Sequence, residues 1–204
     1  MIVVTLLWSI AGVVTRHLDA AASFEVTFWR SFFNALTLIV MLVILRGPSL
    51  WRTLVRSPVV VWMSGVCWAV MFTAFMVAIT MTTVANVLVT MAIGPLLTAV
   101  MARFFLHHRL PSRTWIAILV AGSGIVWMYG TQIGNGVSIA GSLVALAVPL
   151  AAAINFTMLQ HVGHRGSAPP AESTVAPAHD MLLAVLIGAI ISSVLCLPLA
   201  WPLH

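Results

Sequence analysis

The sequence predicts an all-α integral membrane protein, a multi-helix transmembrane bundle, on three observations. Of its 204 residues, 62% are hydrophobic and 6% charged, with a mean hydropathy of +1.13. Soluble domains carry roughly a quarter charged residues. Apolar runs of about 20 residues, the length that crosses a ~30 Å hydrocarbon core, recur along nearly the whole chain. The breaks between these runs are short and hold most of the arginines.

About seven spans follow from the runs, at 1–18, 24–45, 59–79, 81–104, 114–130, 139–160 and 181–202. The first, "MIVVTLLWSIAGVV", lacks the positively charged start of a signal peptide and reads as a membrane span. Thr5, Trp8, Gly12 and Thr15 share one of its faces. Trp8 lies deep enough to form an apolar wall for a solute.

The second span opens with "FEVTFWRSFFNAL", where an arginine stands among aromatic residues. Thr27, Arg30, Asn34 and Thr37 fall within an arc of about 80° at ~100° per residue, with Glu25 on the other side. A charge near the bilayer centre costs at least ~2.5 kcal/mol. The coincidence of Arg30 with a polar stripe argues that it faces the bundle interior. Two readings follow: Arg30 snorkels or ties helices together, or it attracts an anionic solute group near the mouth of a wetted cavity.

The third span places Ser64, Trp68, Phe72 and Phe75 on one face, while Trp51 and Trp62 sit near a boundary as interfacial anchors. Trp68 is the deeper of its tryptophans and a second candidate wall. In the fourth span, Thr83, Asn86, Thr90 and Gly94 line one face, with Pro95 just beyond. Proline leaves one carbonyl without its helical donor, so neighbours or water must satisfy it. The stripe is either a polar helix–helix seam or a cavity wall on which Asn86 and Thr90 bond solute.

A Gly-rich fifth span follows. The sixth sets Gly141, Ala145, Pro149 and Ala153 four apart, and the seventh repeats the device with Ala184, Gly188, Ser192 and Cys196. Both ridges read as close-packing faces. Asn155 lies off the first ridge and is placed at the cavity. Between these spans, "HVGHRGSAPPAESTVAPAHD" (161–180) has the composition of a flexible loop.

All nine basic residues are arginines, and apart from Arg30 inside the second span they divide unevenly. Arg46, Arg52, Arg56, Arg103, Arg109, Arg113 and Arg165 follow the even-numbered spans, and only Arg16 lies on the other face. The positive-inside rule then puts the N-terminus in the cytoplasm. Spans one and two also echo spans six and seven. They sit five apart, an odd number, so the second pair would be inverted relative to the first, as in many secondary transporters.

Several classes are excluded. Despite the basic balance no solvent-facing basic domain exists to bind nucleic acid. Cys67 and Cys196 fall inside apolar spans as small packing residues. His107 with His108, and His161, His164 and His179, are not joined by cysteine and do not make a metal set. No phosphate-binding G-x-x-x-x-G-K-[ST] loop occurs, and no constellation for an embedded enzyme is visible. No cofactor is expected.

From Met81 to Met128 the chain reads "MTTVANVLVTMAIGPLLTAVMARFFLHHRLPSRTWIAILVAGSGIVWM". This resembles the fourth and fifth spans of EamA-like permeases in the drug/metabolite transporter superfamily: an Ala-Asn-like start, a mid-helix proline, a short basic turn, then Trp and a Gly-rich helix. "LLWSIAGVVTRHL" and "FWRSFFNAL" are similar to that family's first two spans. The resemblance implies ten helices in two inverted five-helix repeats. Residues 1–130 would be the first repeat and 139–204 part of the second. On this reading the chain stops after span seven and is an incomplete copy. His108 stands where the family usually shows an acid, so no role is carried over there.

The function expected is secondary transport of small organic metabolites or drugs across the cytoplasmic membrane by alternating access. The cavity would be built from Trp8, Arg30, Asn34, Trp68, Asn86, Thr90 and Asn155, with any coupling role assigned to Glu25. The partners expected are a small-molecule substrate and the lipid bilayer, and a homodimer is a candidate assembly. The alternative is a truncated, non-transporting fragment or scaffold.

Overall fold

The computed structural model describes residues 23–47, 50–105, 112–132, 138–165 and 176–200. Among them the chain forms helices α1 (Ser23–Arg46), α2 (Leu50–Val55), α3 (Val59–Met81), α4 (Val84–Met91), α5 (Gly94–Phe105), α6 (Ser112–Gln132), α7 (Ile139–Arg165) and α8 (Ala176–Ala200). The first expected span, with Trp8, lies outside the described residues. Phe24–Leu45, Val59–Met81, Val84–Phe105, Ile139–His161 and Met181–Pro198 are long and apolar enough to cross a membrane. The span expected at 114–130 forms α6.

Local chemistry sets the element ends. Gly47 follows α1 with φ of +67°, a left-handed conformation that glycine adopts without a Cβ clash. Pro58 precedes α3, and Thr82 ends it in an extended conformation. Thr83 then caps α4 by accepting a hydrogen bond from the Asn86 backbone N–H at 3.3 Å. The fourth span is not one rod. Its turn at Ala92–Ile93 separates α4 from α5, where Pro95 has no N–H to offer the carbonyl of Met91. Helix α2 adds a short element to the loop after the second span. At the 161–180 segment, α7 runs on to Arg165 and α8 begins at Ala176.

Helix α3 is the central rod, packing along α8, α7 and α1, while α7 also packs on α4 and α5. Contacts that ascend together fix the directions. Gly65 meets Ala184 and Ile187, and Gly188 meets Trp68 and Ala69, so α3 and α8 run parallel. Gly141 meets Met81 and Thr82, and Asn155 meets Ser64, so α7 runs antiparallel to α3. Toward the Val59 end, Leu42, Leu50, Leu54, Val61, Leu183 and Leu186 form one core cluster; toward the Met81 end, Ala78, Val87 and Ala145 form another.

In lipid the hydrophobic effect does not draw helices together, so close packing must. The small-residue ridges do this. Ala145 and Ala153 are fully buried on α7, as are Ser192 and Cys196 on α8, with Ala184 and Ile187 nearly so. The outward faces are the complement: Ile44, Phe104, Leu119, Val120, Trp127 and Ile139 are all more than 60% exposed. Such a continuous apolar exterior would aggregate in water and is what a bilayer requires.

Candidate functional site

Polar side chains meet α3 at successive heights, and each group joins different helices. Near the Val59 end, Ser64 Oγ donates to Asn155 Oδ1 of α7 at 2.6 Å. Midway, Ser31 Oγ of α1 donates to Ser192 Oγ of α8 at 3.1 Å, and Thr73 of α3 lies 3.0 Å from the same oxygen. At the Met81 end, Asn86 Nδ2 donates to Ser142 of α7 at 2.8 Å and to Thr82 at 3.1 Å. Thr90 Oγ1 donates back to the Asn86 carbonyl at 2.8 Å.

Arg30 stands apart from these seams. Its guanidinium carbon lies 5.9 Å from the ring centroids of both Phe72 and Phe75 on α3, within cation–π range. Among the described residues it forms no ion pair. The side chain is exposed, and Asn34, one turn on, is half-buried. Phe72 in turn packs against Trp68 at a centroid separation of 5.5 Å, so Arg30, Phe72 and Trp68 form a continuous run.

Two donors beside that run have no partner among the described residues. Trp68 Nε1 and Asn155 Nδ2 are both buried without a hydrogen bond, as is Thr157 Oγ1. Asn155 is fully buried. Leaving a buried donor unsatisfied costs about 1–3 kcal/mol, so these groups call for a ligand, water or rearrangement.

The predicted residues therefore separate. Arg30 and Trp68 are joined through Phe72 where α1 meets α3, and Asn34 lies one turn along α1 from Arg30. Asn155 joins them from below through Ser64, four residues from Trp68. Asn86 and Thr90 belong to the seam at the Met81 end, where both are buried and hydrogen-bonded. Trp8 is outside the described residues. Glu25 is half-buried in the first turn of α1.

The stripe on α1 is rotated from the one expected. Thr27, Ser31, Ala35 and Leu42 are buried, whereas Thr37 is exposed and bonds back to the Phe33 carbonyl at 2.8 Å. The buried face thus lies roughly 80° around the helix from the Thr27–Thr37 arc, and Arg30 marks its edge. Phe28, Trp29, Phe32 and Phe33 cluster on the side facing away, with Trp29, Phe32 and Phe33 at least 41% exposed. Ser31 and Ser192 escaped the site reading. The signal was present: Thr27, Ser31 and Ala35 repeat the four-residue small-side-chain spacing found in α8.

A polytopic bundle of apolar-surfaced helices, joined at their seams by buried polar side chains and carrying Arg30 over two aromatic rings, fits the class of helical membrane transport proteins. Residues 1–130 match the EamA-like transporter family. The chain belongs to that family, a group of membrane transporters in the drug/metabolite transporter superfamily. No curated protein and no solved structure matches it.

Proposed function

We propose that the chain is a secondary carrier of small organic solutes in the cytoplasmic membrane, working by alternating access with the solute passing between α1 and α3. The observation that carries this reading is the unpaired Arg30 guanidinium held over Phe72 and Phe75. A purely structural arginine at membrane depth finds an anion or carbonyl partner; among the described residues this one has only ring faces. The interruption of the fourth span at Ala92–Ile93 and Pro149 within α7 supply the freed backbone groups that carriers use near their sites. They lie close together: a Cβ on Gly94 would sit 3.7 Å from Pro149 Cβ.

On the arginine count, the loop carrying Arg52 and Arg56 faces the cytoplasm, and Arg30 sits nearer the outer surface. Glu25 remains the assigned coupling residue. Transport that depends strictly on a pH gradient and survives Glu25→Gln removes that assignment.

The test is counterflow in proteoliposomes preloaded with single solutes drawn from amino acids, other carboxylates and amphipathic cations. Accumulation of at least one labelled solute above protein-free vesicles is expected. Uniform failure across the panel, with the protein shown folded by its helical circular dichroism, would contradict carrier function.

A further inference from the structure

We infer that the solute is an organic anion: a carboxylate joined to a flat apolar body, without an ammonium group. The inference rests on the carrier reading of the Arg30 site and deepens it by fixing the charge class.

Three N–H groups are left unspent along α1, α3 and α7, beside one hydroxyl, Thr157 Oγ1. Arg30 offers a planar fork of N–H groups with no carboxylate partner among the described residues, and that geometry matches a carboxylate in two parallel hydrogen bonds. Trp68 Nε1 and Asn155 Nδ2 are further N–H groups without acceptors. Two nearby oxygens are engaged. The Asn155 carbonyl oxygen takes the Ser64 hydroxyl, and Ser192 Oγ is shared by Ser31 and Thr73. An ionised carboxylate only accepts and an ammonium only donates, so a carboxylate satisfies the Arg30 fork and an ammonium there would stand as a second cation beside it.

The apolar part of the ligand is set by what lies between. Phe72 and Phe75 flank the guanidinium, and Phe72 continues into Trp68. A flat ring stacks on such faces at centroid separations of about 4.5–7 Å. From Phe72 to Ser64 is eight residues of helix, about 12 Å at 1.5 Å per residue. With Arg30 5.9 Å from the Phe72 ring centroid and Phe72 5.5 Å from Trp68, a carboxylate on Arg30 joined by a short chain to one ring sets that ring against these faces. Asn155 is sealed between α3 and α7, and opening the Ser64–Asn155 seam during alternating access presents its free amide to the departing anion.

The experiment measures binding to the full chain in nanodiscs with three probes sharing one body: 3-phenylpropionate, phenylalanine and 3-phenylpropylamine. The expected order is 3-phenylpropionate at least tenfold tighter than phenylalanine, with the amine weakest. Arg30→Gln should abolish that order, Arg30→Lys should keep part of it, and Phe72→Leu should weaken 3-phenylpropionate severalfold while preserving the order. Equal binding of the three, tighter binding of either ammonium-bearing probe, or no binding of 3-phenylpropionate overturns the inference. The order in the unmodified chain decides the matter even if a variant fails to fold. The expected order without counterflow of any solute leaves the ligand assignment standing and removes the carrier reading. Counterflow confined to cations or zwitterions does the reverse.

Discussion

Replacing Gly188 with alanine is expected to lower the melting temperature of the detergent-solubilised chain by roughly 2–12 °C. The added Cβ would stand 2.5 Å from Trp68 Cβ, 2.9 Å from the Gly65 carbonyl oxygen and 3.1 Å from the Ala69 nitrogen. None of these atoms is the far end of a flexible side chain, so relief requires α3 and α8 to separate. Overpacking of this kind costs about 1–3 kcal/mol, and each kcal/mol shifts the melting point of a chain this size by about 2–4 °C. Gly122→Ala in α6 is the control, because nothing lies within 4 Å of its added methyl group. A Gly188→Ala protein as stable as the control would mean that α3 and α8 do not pack as described. The same contact ties function to fold, since Gly188 sets the position of Trp68 and, through it, Phe72.

Arg30→Gln should cut transport about 10- to 100-fold without reducing stability. A charge-assisted hydrogen bond contributes about 1.5–3 kcal/mol, and 1.4 kcal/mol is a factor of ten. The stability readout separates the two roles the sequence left open for this residue. An arginine that ties helices together loses bonds on substitution, and the melting point falls. An arginine held for a solute without a counter-charge has no bond to lose in the resting protein, so its removal leaves the melting point equal or higher. Trp29→Leu, on the outward face of α1, should change neither. Reduced transport accompanied by a matching loss of stability would assign Arg30 to structure.

The small-residue ridges show how much packing could be read from the chain. Four-residue spacing of Ala184, Gly188, Ser192 and Cys196 places them on one side of any α-helix, and in lipid only such a side permits close approach. The membrane class and most span limits were legible for the same reason, since they depend on local composition. The rotation of α1 was not. Thr27, Ser31 and Ala35 satisfy the small-residue rule while Arg30, Asn34 and Thr37 satisfy the polar-stripe rule, and the two arcs overlap on one helix. Thr37 shows why the second rule misled, because a threonine can satisfy its hydroxyl on its own backbone and then face lipid. The partners of Asn86 and Asn155 were likewise invisible. Ser142 and Ser64 lie 56 and 91 residues away from them in sequence, and no local pattern encodes such pairings. Pro95 foretold an interruption in the fourth span, but that α4 and α5 both pack on α7 depends on the assembled bundle.

Thiol labelling along α1 tests the central claim most directly. Single cysteines at Arg30, Asn34, Trp29 and Phe33, in a chain with Cys67 and Cys196 replaced by alanine, are treated in sealed vesicles with a membrane-impermeant thiol reagent supplied from the outer surface. The account predicts that positions 30 and 34 react and are protected by 3-phenylpropionate, while 29 and 33 stay unreactive. Reaction at 29 and 33 with silence at 30 and 34 would turn the arginine toward lipid and remove the solute path between α1 and α3.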